Sequence, residues 1–139
     1  MNREELKEIL PHREPMLLVD EAELKDENLA VGKYTVKGDE WFLQGHFPQN
    51  PIVPGVIQCE MLGQTSSVLL ANQVRGNLPL FTGLEKVRFK KQVVPGDTLQ
   101  MECSLLKSRP PFYFIKAKGF VDGKLAVSAE LSFAVVPKQ

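Results

Sequence analysis

The stretch Gly45–Asn72, reading GHFPQNPIVPGVIQCEMLGQTSSVLLAN, limits what this chain can become more than any other. Its first part, Gly45 to Gly55, sets Pro48, Pro51 and Pro54 among apolar residues. Each proline fixes φ and removes a backbone N–H donor, so the segment is expected as a stiff loop, not a helix or an inner strand. Beyond Gly55 the pattern changes. Val56, Ile57, Met61, Leu62, Val68 and Leu69 recur at helical spacing with no proline before Pro79, which predicts a helix of about four turns. Pro54-Gly55 just ahead of it leaves the first amides, Gly55 and Val56, without intrahelical partners. That end is positive and rich in donors, and suits an anion or a developing oxyanion.

Two ionisable residues stand out in these apolar surroundings. His46 opens the loop and Glu60 lies in the second helical turn, between Cys59 and Met61. A helical Glu is ordinarily solvated, and a His beside Phe and Pro is more often packed than catalytic. Three features favour chemistry here: the prolines that hold His46, the free amides at Gly55 and Val56, and the near absence of charge. No Lys, Arg or Asp occurs between Glu40 and Arg75, so Glu60 is expected to lack a salt-bridge partner and to hold a proton. A neutral His as base, a protonated Glu as acid and an oxyanion site suit proton abstraction next to a carbonyl. Spacing alone does not force the pair together, because the loop from His46 to Gly55 can extend up to roughly 30 Å.

The remaining bounds are broad. A chain of 139 residues fits one ordinary domain, 1–139, with a real core. Seventeen basic and seventeen acidic residues balance, so nothing global points to nucleic acid. No leader pattern opens the chain and no apolar run approaches the roughly eighteen residues of a membrane helix. A soluble, unexported, cytoplasmic protein is the expectation. Cys59 and Cys103 are too few for a disulfide framework and fit reduced thiols. Cys59 lacks a cationic neighbour in sequence, which disfavours a nucleophilic thiolate. The two histidines form no metal-binding pattern.

In chain order, Asn2 caps a short helix with an apolar stripe of Leu6, Ile9 and Leu10 that Pro11 stops. His12, in the following loop, is read as structural because no apolar helix follows it. Met16–Leu24 and Leu29–Lys37 read as strands around the Asp26-Glu27-Asn28 turn. Trp41-Phe42-Leu43 is expected to pack near the Pro-rich loop. Leu80–Val94 reads as extended, with Leu84, Lys86, Arg88 and Lys90 on one side and Val87 and Phe89 on the other. Leu99 to Leu105 alternates, Arg109-Pro110-Pro111 interrupts, and Phe112–Val121 is extended again. Asp122-Gly123 signals a hairpin into the alternating run Leu125 to Val135. Five or six strands on short turns plus one long apolar helix make an α+β domain, with a curved antiparallel sheet wrapped around the helix.

Three segments carry a resemblance that spans nearly the whole chain in order: LPHREPMLLVD (Leu10–Asp20), GHFPQNPIVPGVIQCE (Gly45–Glu60) and RFKKQVVPGD (Arg88–Asp97). They resemble the 3-hydroxyacyl-acyl-carrier-protein dehydratases of bacterial fatty-acid synthesis, the FabZ type, which carries Glu on the helix. The resemblance implies the hotdog fold and homodimers, commonly assembled into trimers of dimers. It implies His46 as general base, Glu60 as general acid and Gly55 as oxyanion donor, with His of one subunit facing the acid of the other. The substrate would be a (3R)-3-hydroxyacyl chain on acyl carrier protein and the product a trans-2-enoyl thioester, with no redox cofactor or metal required.

Lys86, Arg88, Lys90 and Lys91 form a basic cluster that would dock an acidic carrier or simply face water. Arg109-Pro110-Pro111 matches no family motif. Three other activities fit parts of the pattern: trans-2 to cis-3 enoyl isomerisation on the same pair, thioester hydrolysis using the helix carboxylate, and acyl binding without turnover. Thioester hydrolysis leaves His46 to Pro48 unexplained. A pure binding role leaves both ionisable residues unexplained.

Overall fold

Strands of two-residue period make the frame. In the computed structural model, which describes residues 1–138, six strands form one antiparallel sheet in the order β1-β2-β4-β5-β6-β3. They are β1 (Glu21–Asp26), β2 (Leu29–Thr35), β3 (Asn77–Phe89), β4 (Thr98–Arg109), β5 (Phe112–Val121) and β6 (Lys124–Pro137). Alternation sets which face is buried: Tyr113, Ile115, Ala117 and Val121 on β5, and Val127, Ala129, Leu131 and Phe133 on β6, turn inward. Asp122 and Gly123 both take positive φ, 50° and 78°, which is the backbone that matches a two-residue hairpin to strand twist.

Three helices accompany the sheet: α1 (Arg3–Leu6), α2 (Gly55–Ser66) and α3 (Ala71–Val74). Asn2 and Glu5 form a reciprocal capping box on α1. The inner face of the sheet wraps α2, which packs on β2, β4, β5 and β6. Gln58, Cys59 and every residue from Met61 to Ser66 are buried, so α2 has no solvent side beyond its first turn and Glu60. Fully burying Met61 and Leu62 stabilises the fold by roughly 1.5–3 kcal/mol each. This is the hotdog arrangement of an α+β fold.

Three expectations are corrected. The predicted four-turn helix is two pieces, because Ser66 and Ser67 hydroxyls donate to the Leu62 and Gly63 carbonyls. Tighter turns follow, with Val68, Leu69 and Leu70 amides each reaching three residues back, before α3. The first strand starts at Glu21, not Met16: Leu17, Leu18 and Val19 are all buried, and the Leu18 amide goes to the Gln64 side chain, not to a neighbouring strand. Arg109-Pro110-Pro111 interrupts the strands as expected, as the tight turn between β4 and β5, with Arg109 paired to Phe112.

The alternation expected along β3 also fails at Lys86. Lys86 has φ 52°, and the pairing with β6 shifts register between Glu85 and Arg88. This bulge moves Leu84 opposite buried Leu131, away from Arg88, which lies opposite Ser128. Among the described residues no helix is long and apolar enough to cross a membrane.

The distance between α2 and the sheet depends on Gly32. A Cβ there would lie 2.7 Å from Thr65 Oγ1 and 2.9 Å from its Cγ2, on a fully buried, β-branched side chain. Gly32→Ala is therefore expected to cost about 1–3 kcal/mol in urea unfolding, as overpacking does. A midpoint equal to the parent's would show that the helix does not rest on this glycine.

Candidate active site

The Pro-rich loop is built as the sequence requires, with its ends pinned. Trp41–Leu43 forms a single 3-10 turn whose Trp41 Nε1 donates to Pro15 O at 3.0 Å. Gly45 then turns the chain with φ 79° and presents His46. The His46 ring packs on Phe47 and places Nδ1 3.2 Å from the Ile52 carbonyl oxygen. A carbonyl only accepts, so Nδ1 carries the proton and Nε2 keeps a free lone pair. That is the tautomer a general base needs.

Helix α2 begins directly after this loop. Ile57 and Gln58 amides both donate to Pro54 O, whereas the Gly55 and Val56 amides have no hydrogen-bond acceptor among the described residues. The two free donors lie at the positive end of a twelve-residue helix. A cleft of about 410 Å³ brings together His46, Phe47, Ile52, Gly55, Gln58 and Phe89, with Lys90, Lys91 and Gln92 at its edge. The Phe89 ring lies so close that a Cβ on Gly55 would meet its Cζ at 2.5 Å, so any other residue here would have to displace the ring.

Glu60 does not line this cleft. Its carboxylate is three-quarters buried on another side of α2, and its surroundings correct two expectations. Gln64 Nε2 donates to Glu60 Oε2 at 2.9 Å, and His12 Nε2 lies 3.2 Å from the same oxygen. Glu60 thus has partners, and His12 is no mere loop residue. Sequence could not show this, because His12 is 48 positions upstream and reaches Glu60 only through the fold. His12 Nδ1 is buried without a partner, so Nε2 is the nitrogen that carries a hydrogen toward Glu60. Both donors meet Oε2, which leaves Oε1 without a partner among the described residues.

Gln64 holds this half of the site. Its Oε1 accepts from Leu18 N at 2.8 Å, and its Nε2 donates to both Met16 O and Glu60 Oε2. Arg13 fixes the same loop through the carbonyls of Lys7, Leu10 and His12. The helical spacing of Glu60 and Gln64 was the available signal for their pairing.

The thiols play no part. Burial raises the Cys59 thiol and pushes Cys103 up to about 12, so both stay protonated near neutral pH. The basic cluster separates. Lys90 and Lys91 edge the His46 cleft, while Lys86 pairs with Glu130 at 3.4 Å and Arg88 lies opposite Ser128 on β6.

Fold and site together define a hotdog protein with a histidine-bearing loop feeding its central helix. Comparison with known proteins narrows the class. A family model for the FabA-like domain matches residues 10–130, and the chain belongs to this family. It is 49% identical over 137 residues to the 3-hydroxyacyl-[acyl-carrier-protein] dehydratase FabZ of Clostridium perfringens, covering 97% of this chain and 99% of that one. A Staphylococcus epidermidis protein of the same name is 46% identical over 134 residues, covering 94% and 92%. Among solved structures, the dehydratase heterocomplex ApeI:P from Xenorhabdus doucetiae superposes with a TM-score of 0.82 at 22% identity over 96% of this chain and 91% of that one. Protein PH1136 from Pyrococcus horikoshii superposes with a TM-score of 0.71 at 17% identity over 95% and 94%. These two show the fold.

Replacing Gln64 by Leu would strand the Leu18 amide and the Met16 carbonyl. The variant is expected to lose about 2–5 kcal/mol in urea unfolding, the cost of two buried polar groups left unpaired. A loss below roughly 0.5 kcal/mol would mean that the Gln64 network holds nothing together.

Proposed function

We propose that the chain is a hydro-lyase that dehydrates (3R)-3-hydroxyacyl chains carried on acyl carrier protein, giving trans-2-enoyl thioesters in bacterial type II fatty-acid synthesis. Full-length identity to proteins named as these dehydratases supports the reaction class. The observation that carries the chemistry is His46 held as the Nδ1–H tautomer in one cleft with the open Gly55 amide.

In this reading His46 Nε2 takes the proton from C2 of the substrate. The Gly55 N–H, assisted by that of Val56, stabilises the charge developing on the thioester oxygen. As the C2–H pair becomes the C2=C3 bond, the C3–O bond breaks and Glu60 Oε1 gives its proton to the departing hydroxyl. Water leaves, and the proton on His46 returns to Glu60 by way of solvent. Every atom is accounted for without an oxidant or a reductant.

Because Glu60 lies outside the His46 cleft of its own chain, a second copy supplies it. The dimer forms along β3, the longer of the sheet's two free edges, where Leu80, Phe81, Leu84 and Phe89 are between 38% and 53% exposed. A thirteen-residue edge with that much apolar surface is a template for pairing. Such dimers assemble further into trimers of dimers. Lys90 and Lys91 at the cleft edge meet the acidic carrier, with Lys86 and Arg88 flanking. Two free buried thiols suit the reducing cytoplasm.

Mass spectrometry of a 3-hydroxyacyl carrier-protein thioester incubated with the enzyme is expected to show loss of one water from the acyl group. Glu60→Gln and His46→Ala should each slow this by about a hundred- to ten-thousandfold, the usual worth of general acid–base groups. Release of free carrier thiol would identify a thioesterase instead and overturn the reading.

A further inference from the structure

Gln58 is out of place by every local rule. It is a polar side chain only 4% exposed, on a helix segment whose neighbours are Ile57 and Cys59, and its Oε1 is buried with no hydrogen-bond donor among the described residues. An apolar residue of the same length would fill that space without stranding an acceptor. The other end of the amide shows what the oxygen accompanies: Gln58 Nε2 donates to the Val53 carbonyl at 3.1 Å, in the wall of the His46 cleft.

We propose that Gln58 is a positioning residue for His46, acting through the Ile52–Val53 backbone. The Ile52 carbonyl, which receives His46 Nδ1–H, and the Val53 N–H belong to one planar peptide unit. That unit is tied on its far side by Val53 N donating to Val93 O at 2.8 Å. The next peptide, Val53–Pro54, has no N–H of its own, so its carbonyl is its one polar handle, and Gln58 holds it. Between them, Val93 and Gln58 fix the carbonyl oxygen that decides which nitrogen of His46 carries the proton. Without Gln58, the Ile52 carbonyl swings, the Nδ1–H tautomer loses its fixed acceptor, and Nε2 is no longer reliably the free base. Local rules are broken most often where function requires it.

The proposal rests on His46 being the base of the dehydration, but its test does not need turnover. The chain holds only two histidines, and the structure assigns them opposite tautomers, Nδ1–H for His46 and Nε2–H for His12. In protein labelled with 15N-histidine, at a pH where both rings are neutral, two distinct ring patterns are therefore expected. Gln58→Met keeps the length, removes the unpartnered oxygen and frees the Val53 carbonyl. These effects on stability oppose each other, so the melting temperature should move by only a few degrees.

The His46 pattern should shift toward a mixture of tautomers while that of His12 stays fixed. The dehydration kcat should fall about ten- to a hundredfold with KM little changed, as for a misplaced catalytic group. A His46 ring that remains wholly Nδ1–H, with kcat within about twofold of the parent, overturns the proposal. Collapse of both histidine patterns together also overturns it, as the sign of a plain packing role. A parent that shows the two tautomers but no dehydration would count against the dehydratase reading and leave the role of Gln58 standing.

Discussion

The buried amide of Gln64 is the interaction on which the two halves of this molecule depend. It sits in the middle of an apolar helix at 1% exposure, where an unsatisfied amide would be costly, and each of its polar atoms is used. It binds the Leu18 amide and the Met16 carbonyl, so the segment before β1 joins α2 rather than the sheet. It also fixes one oxygen of Glu60. The loop that Gln64 anchors is the one that carries His12, and His12 reaches the same oxygen. One side chain thus links the N-terminal loop, the central helix and the acid.

The other half of the site depends on backbone. Three prolines and a positive-φ glycine give the loop before α2 its course, the Ile52 carbonyl sets the tautomer of His46, and Gly55 leaves an amide open under Phe89. In the proposed reaction this half is preorganised, with donors and base held by backbone before substrate arrives, which is where electrostatic catalysis gains most. The two halves point in different directions from one helix. In the proposed reaction, the carboxyl group with its free oxygen and the base with its free nitrogen work together through a second copy of the chain.

Much of this was legible in the sequence, and the reason is local chemistry. Positions of period two gave the limits of β5, Asp122-Gly123 gave its hairpin, and Asn2 gave the first cap, because each depends on residues a few positions apart. His46, Gly55 and Glu60 were conspicuous for the same reason, being polar or flexible in an apolar, proline-rich run. What stayed hidden depends on distance or on competition. The pairing of His12 with Glu60 crosses 48 residues, the bulge at Lys86 comes from register against β6, and the early end of α2 comes from serine hydroxyls competing for its carbonyls. Gln58 drew no notice because an amide on a helix is unremarkable until its burial and its partner are known.

The central claim is that one working site takes His46 from one chain and Glu60 from another. Co-expressing His46→Ala with Glu60→Gln chains, each inactive alone, tests it most directly. Random pairing makes half the dimers mixed, and each mixed dimer regains one intact site of two, so about a quarter of the parent's activity should return. No recovery in a sample shown to contain mixed dimers would contradict the shared site and place both residues of each reaction in a single chain.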